Sequence, residues 1–131
     1  MQLETQKIIN IILQYIPNVE AIYVFGSAAL NQENKNSDVD IAILLPVMQA
    51  KEIGNLYLTD LHSDLMLLLK KEVDLINLRA ASTVLQKEII SKGKVIFCAN
   101  LHSKNEFEML TISFYQRLNF ERKEILEKFY G

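Results

Sequence analysis

Apolar residues recur along the chain with two different periods. Ile8, Ile12 and Ile16, with Ile9 and Leu13 beside them, form a helical stripe that ends before Pro17. Ala21-Ile22-Tyr23-Val24-Phe25 predicts a short buried strand stopped by Gly26, and Val39 to Leu45 a second one stopped by Pro46. Ile53, Leu56, Leu61, Leu65 and Leu68 place the core face of one long second helix. It ends near Lys70-Lys71, whose charges suit the negative end of a helix dipole. Val73-Asp74-Leu75-Ile76 predicts a third strand. Thr83 with Gln86 reads as a capping box opening a helix that Gly93 stops, and Lys94 to Cys98 as a fourth strand. Asn100 to Asn105 is the one stretch that reads as a linker. Beyond it Glu106 to Tyr130 predicts a helix, with Phe107, Leu110, Phe114, Leu118, Ile125 and Phe129 at near-helical spacing and Met109, Ile112, Tyr115 and Phe120 outside that stripe.

This alternation gives an α/β (α+β) fold: a small mixed β-sheet of about four strands with flanking helices, plus a C-terminal helix. Residues 1–99 form the principal unit, and 104–131 a helix that either packs on it or docks a partner, within a single structural domain overall. At 131 residues, half of them hydrophobic, a chain buries about two-thirds of its unfolded surface, enough for a proper core. The sequence contains no internal repeat and no low-complexity segment.

The chemistry concentrates in one arrangement: Gly26-Ser27, a spacer, then Asp38-Val39-Asp40. Side chains alternate across a strand, so Asp38 and Asp40 project from the same face about 7 Å apart. Two anions side by side repel unless cations neutralise them, and hard oxygen ligands suit Mg²⁺ or Mn²⁺. A carboxylate inside an apolar strand is costly without such a partner, which sets Asp40 apart from an ordinary turn aspartate. Gly26 lets the backbone approach a ligand closely, and Ser27 offers a hydroxyl and an amide N–H to a phosphate at the start of a short helix. Asp74 on the third strand is the candidate third carboxylate. If that strand lies beside the second, the set matches a two-metal site for in-line phosphoryl displacement, here transfer of a nucleoside monophosphate with pyrophosphate leaving.

Phe25-Gly26-Ser27 through Ser37-Asp38-Val39-Asp40, with Asp74 downstream, resembles the DNA polymerase beta-type nucleotidyltransferase superfamily in its minimal form. More closely, Val73-Asp74-Leu75, the run Leu78 to Leu85 and the helical tail near Thr111 to Gln116 resemble the MntA-type antitoxins of HEPN/MNT toxin–antitoxin pairs. The resemblance covers nearly the whole chain. It implies a nucleotidyltransferase fold, ATP as donor, two Mg²⁺ ions with Mn²⁺ able to substitute, and AMP transfer to a tyrosine hydroxyl of a cognate HEPN ribonuclease that is thereby silenced. It assigns Asp38, Asp40 and Asp74 as catalytic metal ligands and Gly26 and Ser27 as the triphosphate cradle. Many superfamily members carry arginines just after the Gly-Ser pair, where this chain has Ala28-Ala29-Leu30-Asn31; Lys35 or Arg79 are the candidate replacements for that charge. Two other readings stay open: an antitoxin that masks its toxin by binding alone, and a small-molecule nucleotidyltransferase, for which little chain remains to build a substrate domain.

Charge and rare residues narrow the setting. A formal net charge of −2 provides no basic footprint for nucleic acid, so the expected acceptor is a protein or small molecule. The single cysteine, Cys98, lies in an apolar run and reads as a small buried hydrophobe in a reduced compartment. No stretch approaches the length of a membrane span and the start has no signal-peptide pattern, so the expectation is a cytoplasmic protein without membrane partners, able to form a hetero-oligomer with its toxin. His62, flanked by Asp60 and Asp64, reads as part of a solvated helix face, and His102 as loop. No arginine is followed by a histidine at the spacing of a HEPN ribonuclease, so the resemblance is to the antitoxin half.

Overall fold

A computed structural model describes residues 5–26, 38–56 and 59–130. The elements run α1 (Thr5–Tyr15), β1 (Ala21–Phe25), β2 (Val39–Leu44), α2 (Val47–Ile53), α3 (Asp60–Leu69), β3 (Val73–Asn77), a single 3₁₀ turn (Leu78–Ala80), α4 (Thr83–Lys92), β4 (Lys94–Cys98) and α5 (Leu101–Tyr130). The strands form one four-stranded sheet in the order β3-β2-β1-β4. β1 is antiparallel to both β2 and β4, whereas β2 and β3 run parallel. The mixed sheet with flanking helices is the fold expected from the hydrophobic pattern.

Strand alternation divides the core in two. Ile22, Ile41, Ile43, Val73 and Leu75 face the layer that contains Ile8 and Ile12 of α1 and Leu61 and Leu65 of α3. The opposite face carries Ala21, Tyr23, Ala42 and Leu44, covered by Leu78, Ile89 of α4 and Phe107 of α5. Complete burial of each such isoleucine or leucine contributes roughly 1.5–3 kcal/mol. Tyr23 reaches through this second layer, its hydroxyl donating to Glu108 Oε2 at 2.6 Å, and so pins α5 to the sheet.

Several boundaries differ from the sequence expectation. The long second helix is two helices. Gly54 ends α2 with φ of 62°, a left-handed conformation that glycine adopts without strain. Thr59 then opens α3, its hydroxyl oxygen accepting from His62 N at 3.3 Å and its hydroxyl donating to Leu56 O at 2.7 Å. Lys70, itself left-handed at φ 55°, closes that helix. The cap of α4 is Ser82 rather than Thr83, accepting from Leu85 N at 3.2 Å. Gln86 does not reach back to complete a box; its amide donates to Leu78 O at 2.9 Å. Asn100 to Asn105 is not a linker, because Asn100 Oδ1 accepts from Ser103 N at 3.1 Å and α5 begins at Leu101.

Three side chains also depart from expectation. His62 is buried rather than solvated, its Nε2–H donating to Val73 O at 2.7 Å; it lies between Leu61 and Leu65 on the inner side of α3, and the flanking aspartates concealed that. His102 belongs to the first turn of α5 and faces Glu106 at 3.7 Å. Cys98, at the end of the edge strand β4, is exposed rather than buried. Among the described residues no helix is long and apolar enough to cross a membrane.

Candidate active site

The sheet's register builds the site. Phe25 pairs with Asp40 across β1 and β2, and Asp40 pairs with Asp74 across β2 and β3. Neighbouring strands stand about 4.8 Å apart, so Asp74, Asp40 and the end of β1 lie side by side along one end of the sheet. Asp40 and Asp74 share the face that carries Ala42, Leu44 and Ile76, and Asp38 directly precedes β2. The parallel pairing that the third carboxylate required is therefore present.

Gly26 closes this row. It continues β1 with φ of 71°, and a Cβ built on it would lie 2.2 Å from Asp40 Oδ2. The positive φ favours glycine at this position, and any side chain there would have to displace the Asp40 carboxylate. Ser27 and Lys35 lie outside the described residues. His62 contributes from the other layer, because its bond to Val73 O fixes the residue adjoining Asp74. Helical spacing with Leu65 was the signal in the sequence for this positioning contact.

Electrostatics single out Asp40. Burial pushes its carboxyl up to about 6, and the negative charges of Asp74 and Asp38 push in the same direction. The three carboxylates therefore feel one another. Among the described residues no three His, Cys, Asp or Glu side chains already converge on one point; what the fold presents is the Asp40–Asp74 pair with Asp38 beside it. An all-oxygen anionic set of this kind fits a hard divalent cation, and a cation would relieve both the repulsion and the desolvation that raise Asp40.

Arg79 is not part of this row. Its Nη2 pairs with Glu20 Oε1 at 2.7 Å, its Nε donates to Leu45 O, and its guanidinium stands 5.4 Å from the centre of the Phe107 ring. Glu20 precedes β1 and Leu45 follows β2, so both lie at the end of the sheet remote from Asp40. Arg79 cannot supply the phosphate charge considered for it from sequence; it ties strand ends to α5.

Comparison with known proteins points to one family. The family model described as polymerase beta, nucleotidyltransferase, matches residues 6–102. The chain is 36% identical over 126 residues to the protein adenylyltransferase MntA of Shewanella oneidensis, covering 96% of this chain and 87% of that one. Among solved structures it is similar to a toxin–antitoxin with AMP-PNP, at 34% identity and a TM-score of 0.75, covering 98% of this chain and 100% of the other. It is also similar, at 34% identity and a TM-score of 0.69 with both chains covered completely, to a chain of the complex between the tri-AMPylated Shewanella oneidensis HEPN toxin and its MNT antitoxin.

Proposed function

The chain belongs to the polymerase beta nucleotidyltransferase family, and on that premise we propose that it is an antitoxin that transfers AMP from ATP to a tyrosine hydroxyl of a partner HEPN toxin, in the cytoplasm. The observation that carries the chemistry is the register that sets Asp40 beside Asp74 with Gly26 against its carboxylate. The acceptor oxygen attacks the α-phosphorus of ATP. The bond from that phosphorus to the bridging oxygen breaks, pyrophosphate leaves, and a tyrosine–AMP ester remains.

Each residue has a task in this reaction. Gly26 and Ser27 hold the triphosphate through backbone amides, with Gly26 leaving the space a side chain would fill. Asp38, Asp40 and Asp74 are the ligands for two Mg²⁺ ions, which Mn²⁺ can replace. Such ions, when bound, neutralise the triphosphate and favour the ionised acceptor hydroxyl. Asp74, on the edge strand β3 and only partly buried, takes the hydroxyl proton in this reading.

The test is the intact mass of the toxin after co-expression with the wild-type chain or with Asp40→Asn. The expected result is a gain of one or more AMP units that disappears with the variant. An unmodified toxin that is nevertheless neutralised by both chains would replace catalysis with masking by binding. AMP transfer at wild-type rate by Asp40→Asn would overturn the assignment of the site.

A further inference from the structure

We propose that the partner toxin docks on an apolar seam along α5 and in the cavity at the root of that helix, through a helical segment of its own; the inference rests on the partner named above. The seam begins inside the core. Phe107 and Thr111 are 7% and 2% exposed, and Phe107 packs with the sheet residues and Ile89 of α4. Phe114 and Leu118 continue the same helical face at three- and four-residue spacing, Ile125 follows after a full heptad across Glu121 and Arg122, and Phe129 ends it four residues on, a repeat by which one helix packs along another. Yet α5 outruns the domain. Phe114, Ile125 and Phe129 are 53%, 56% and 72% exposed, and no described side chain from Asn119 onward is buried.

The root of the helix adds a receptacle. A cavity of about 300 Å³ opens between α2, the 3₁₀ turn, α4 and α5; Val47, Ala50, Ala80, Phe107, Leu110 and Phe114 form its apolar lining, and Lys51, Arg79, Gln86 and Thr111 its polar part. Phe107 and Phe114 belong to cavity and seam alike, so the two form one surface. An aliphatic or aromatic anchor in a concave apolar pocket is the usual centre of a protein interface.

The occupant follows from repeat, charge and size. Heptad-like spacing suits a helix rather than an extended peptide. Glu121, Glu124 and Glu127 alternate with Arg122, Lys123 and Lys128 along the distal half, so there is no basic stripe for nucleic acid. A second copy meeting the seam alone has too little to bury: from Phe107 to Phe129 the strip is about 33 Å long and about 10 Å wide, roughly 330 Å² a side, against about 800 Å² for a stable interface. A partner that fills the cavity and extends toward the carboxylate row supplies the remainder. The similar solved chains, matched end to end by this one, come from toxin–antitoxin structures.

The test compares Ile125→Glu combined with Phe129→Glu, on the seam, against Phe120→Glu on the opposite face; Phe120 is 61% exposed and equally apolar. Affinity for the toxin is measured without ATP, so that it does not depend on catalysis, alongside binding of a non-hydrolysable ATP analogue and the helical circular dichroism of each variant. The seam variant is expected to lose toxin affinity at least 100-fold, Phe120→Glu less than threefold, and nucleotide affinity is expected to stay constant in both. Toxin affinity unchanged by the seam variant, or lost equally with Phe120→Glu, would overturn the docking surface. Sedimentation that finds a dimer broken by the seam variant while toxin binding persists would assign the seam to a second copy instead. Absence of AMP transfer with seam-dependent toxin binding would leave docking standing and remove only the catalytic reading.

Discussion

Asp40 shows what a single residue conveys about the site before any ligand is considered. Its carboxyl titrates at about 6 in the folded chain against an ordinary 3.8, so the folded state holds the proton more tightly than the unfolded one. The folded chain consequently loses stability as pH climbs from about 4 through about 6, and the loss is complete above that. Asp40→Asn removes the term. Without metal, the variant should exceed wild type at about pH 8 by roughly 1 kcal/mol once solvent screening of this partly exposed group is allowed for. The gap should close near pH 4. Urea denaturation at both pH values in a chelated buffer tests this, and a gap that is absent or independent of pH would refute the crowded-carboxylate description. The importance of Asp40 was legible in the sequence because a charge inside an apolar strand has few bland explanations. Its neighbour was less so: alternation puts Asp74 on a face but does not say which strand lies beside which.

Elements bounded by a break in the apolar pattern are legible in the sequence, whereas a boundary that the pattern runs across, or a contact between distant residues, is not. β1 and β4 stand where apolar runs meet Gly26 and Gly93. The division between α2 and α3 is hidden in the sequence, because the leucine spacing across Gly54 and Thr59 continues a helical period. Arg79 illustrates the distant kind. As a surface cation it was a candidate phosphate ligand, but the fold uses it to join the ends of β1 and β2 to Phe107 of α5. Arg79→Ala should therefore lower stability by about 2–3 kcal/mol, by leaving Glu20 and the Leu45 carbonyl without their partner. The folded fraction should bind an ATP analogue within about twofold of wild type. Thermal denaturation together with calorimetric titration separates the two effects, and a large loss of nucleotide affinity with unchanged stability would return Arg79 to the phosphate.

At the scale of the whole molecule, catalysis and docking occupy opposite ends of one sheet. Asp40 lies near the start of β2, while the cavity adjoins Arg79, which bonds the residue at that strand's far end. Five residues of strand span about 17 Å, beyond the range over which substitutions normally couple. That separation bears on how variants at the two ends combine. It predicts additivity. Combining Asp40→Asn with Ile125→Glu and Phe129→Glu should reproduce the nucleotide-affinity loss of the first and the toxin-affinity loss of the second, each within about 0.5 kcal/mol of the separate variants. A double-mutant cycle on both affinities measures this directly. Coupling above about 1.4 kcal/mol, a tenfold discrepancy, would mean that toxin binding at α5 reaches the carboxylates through the sheet, and the two ends would then have to be treated as a single allosteric site.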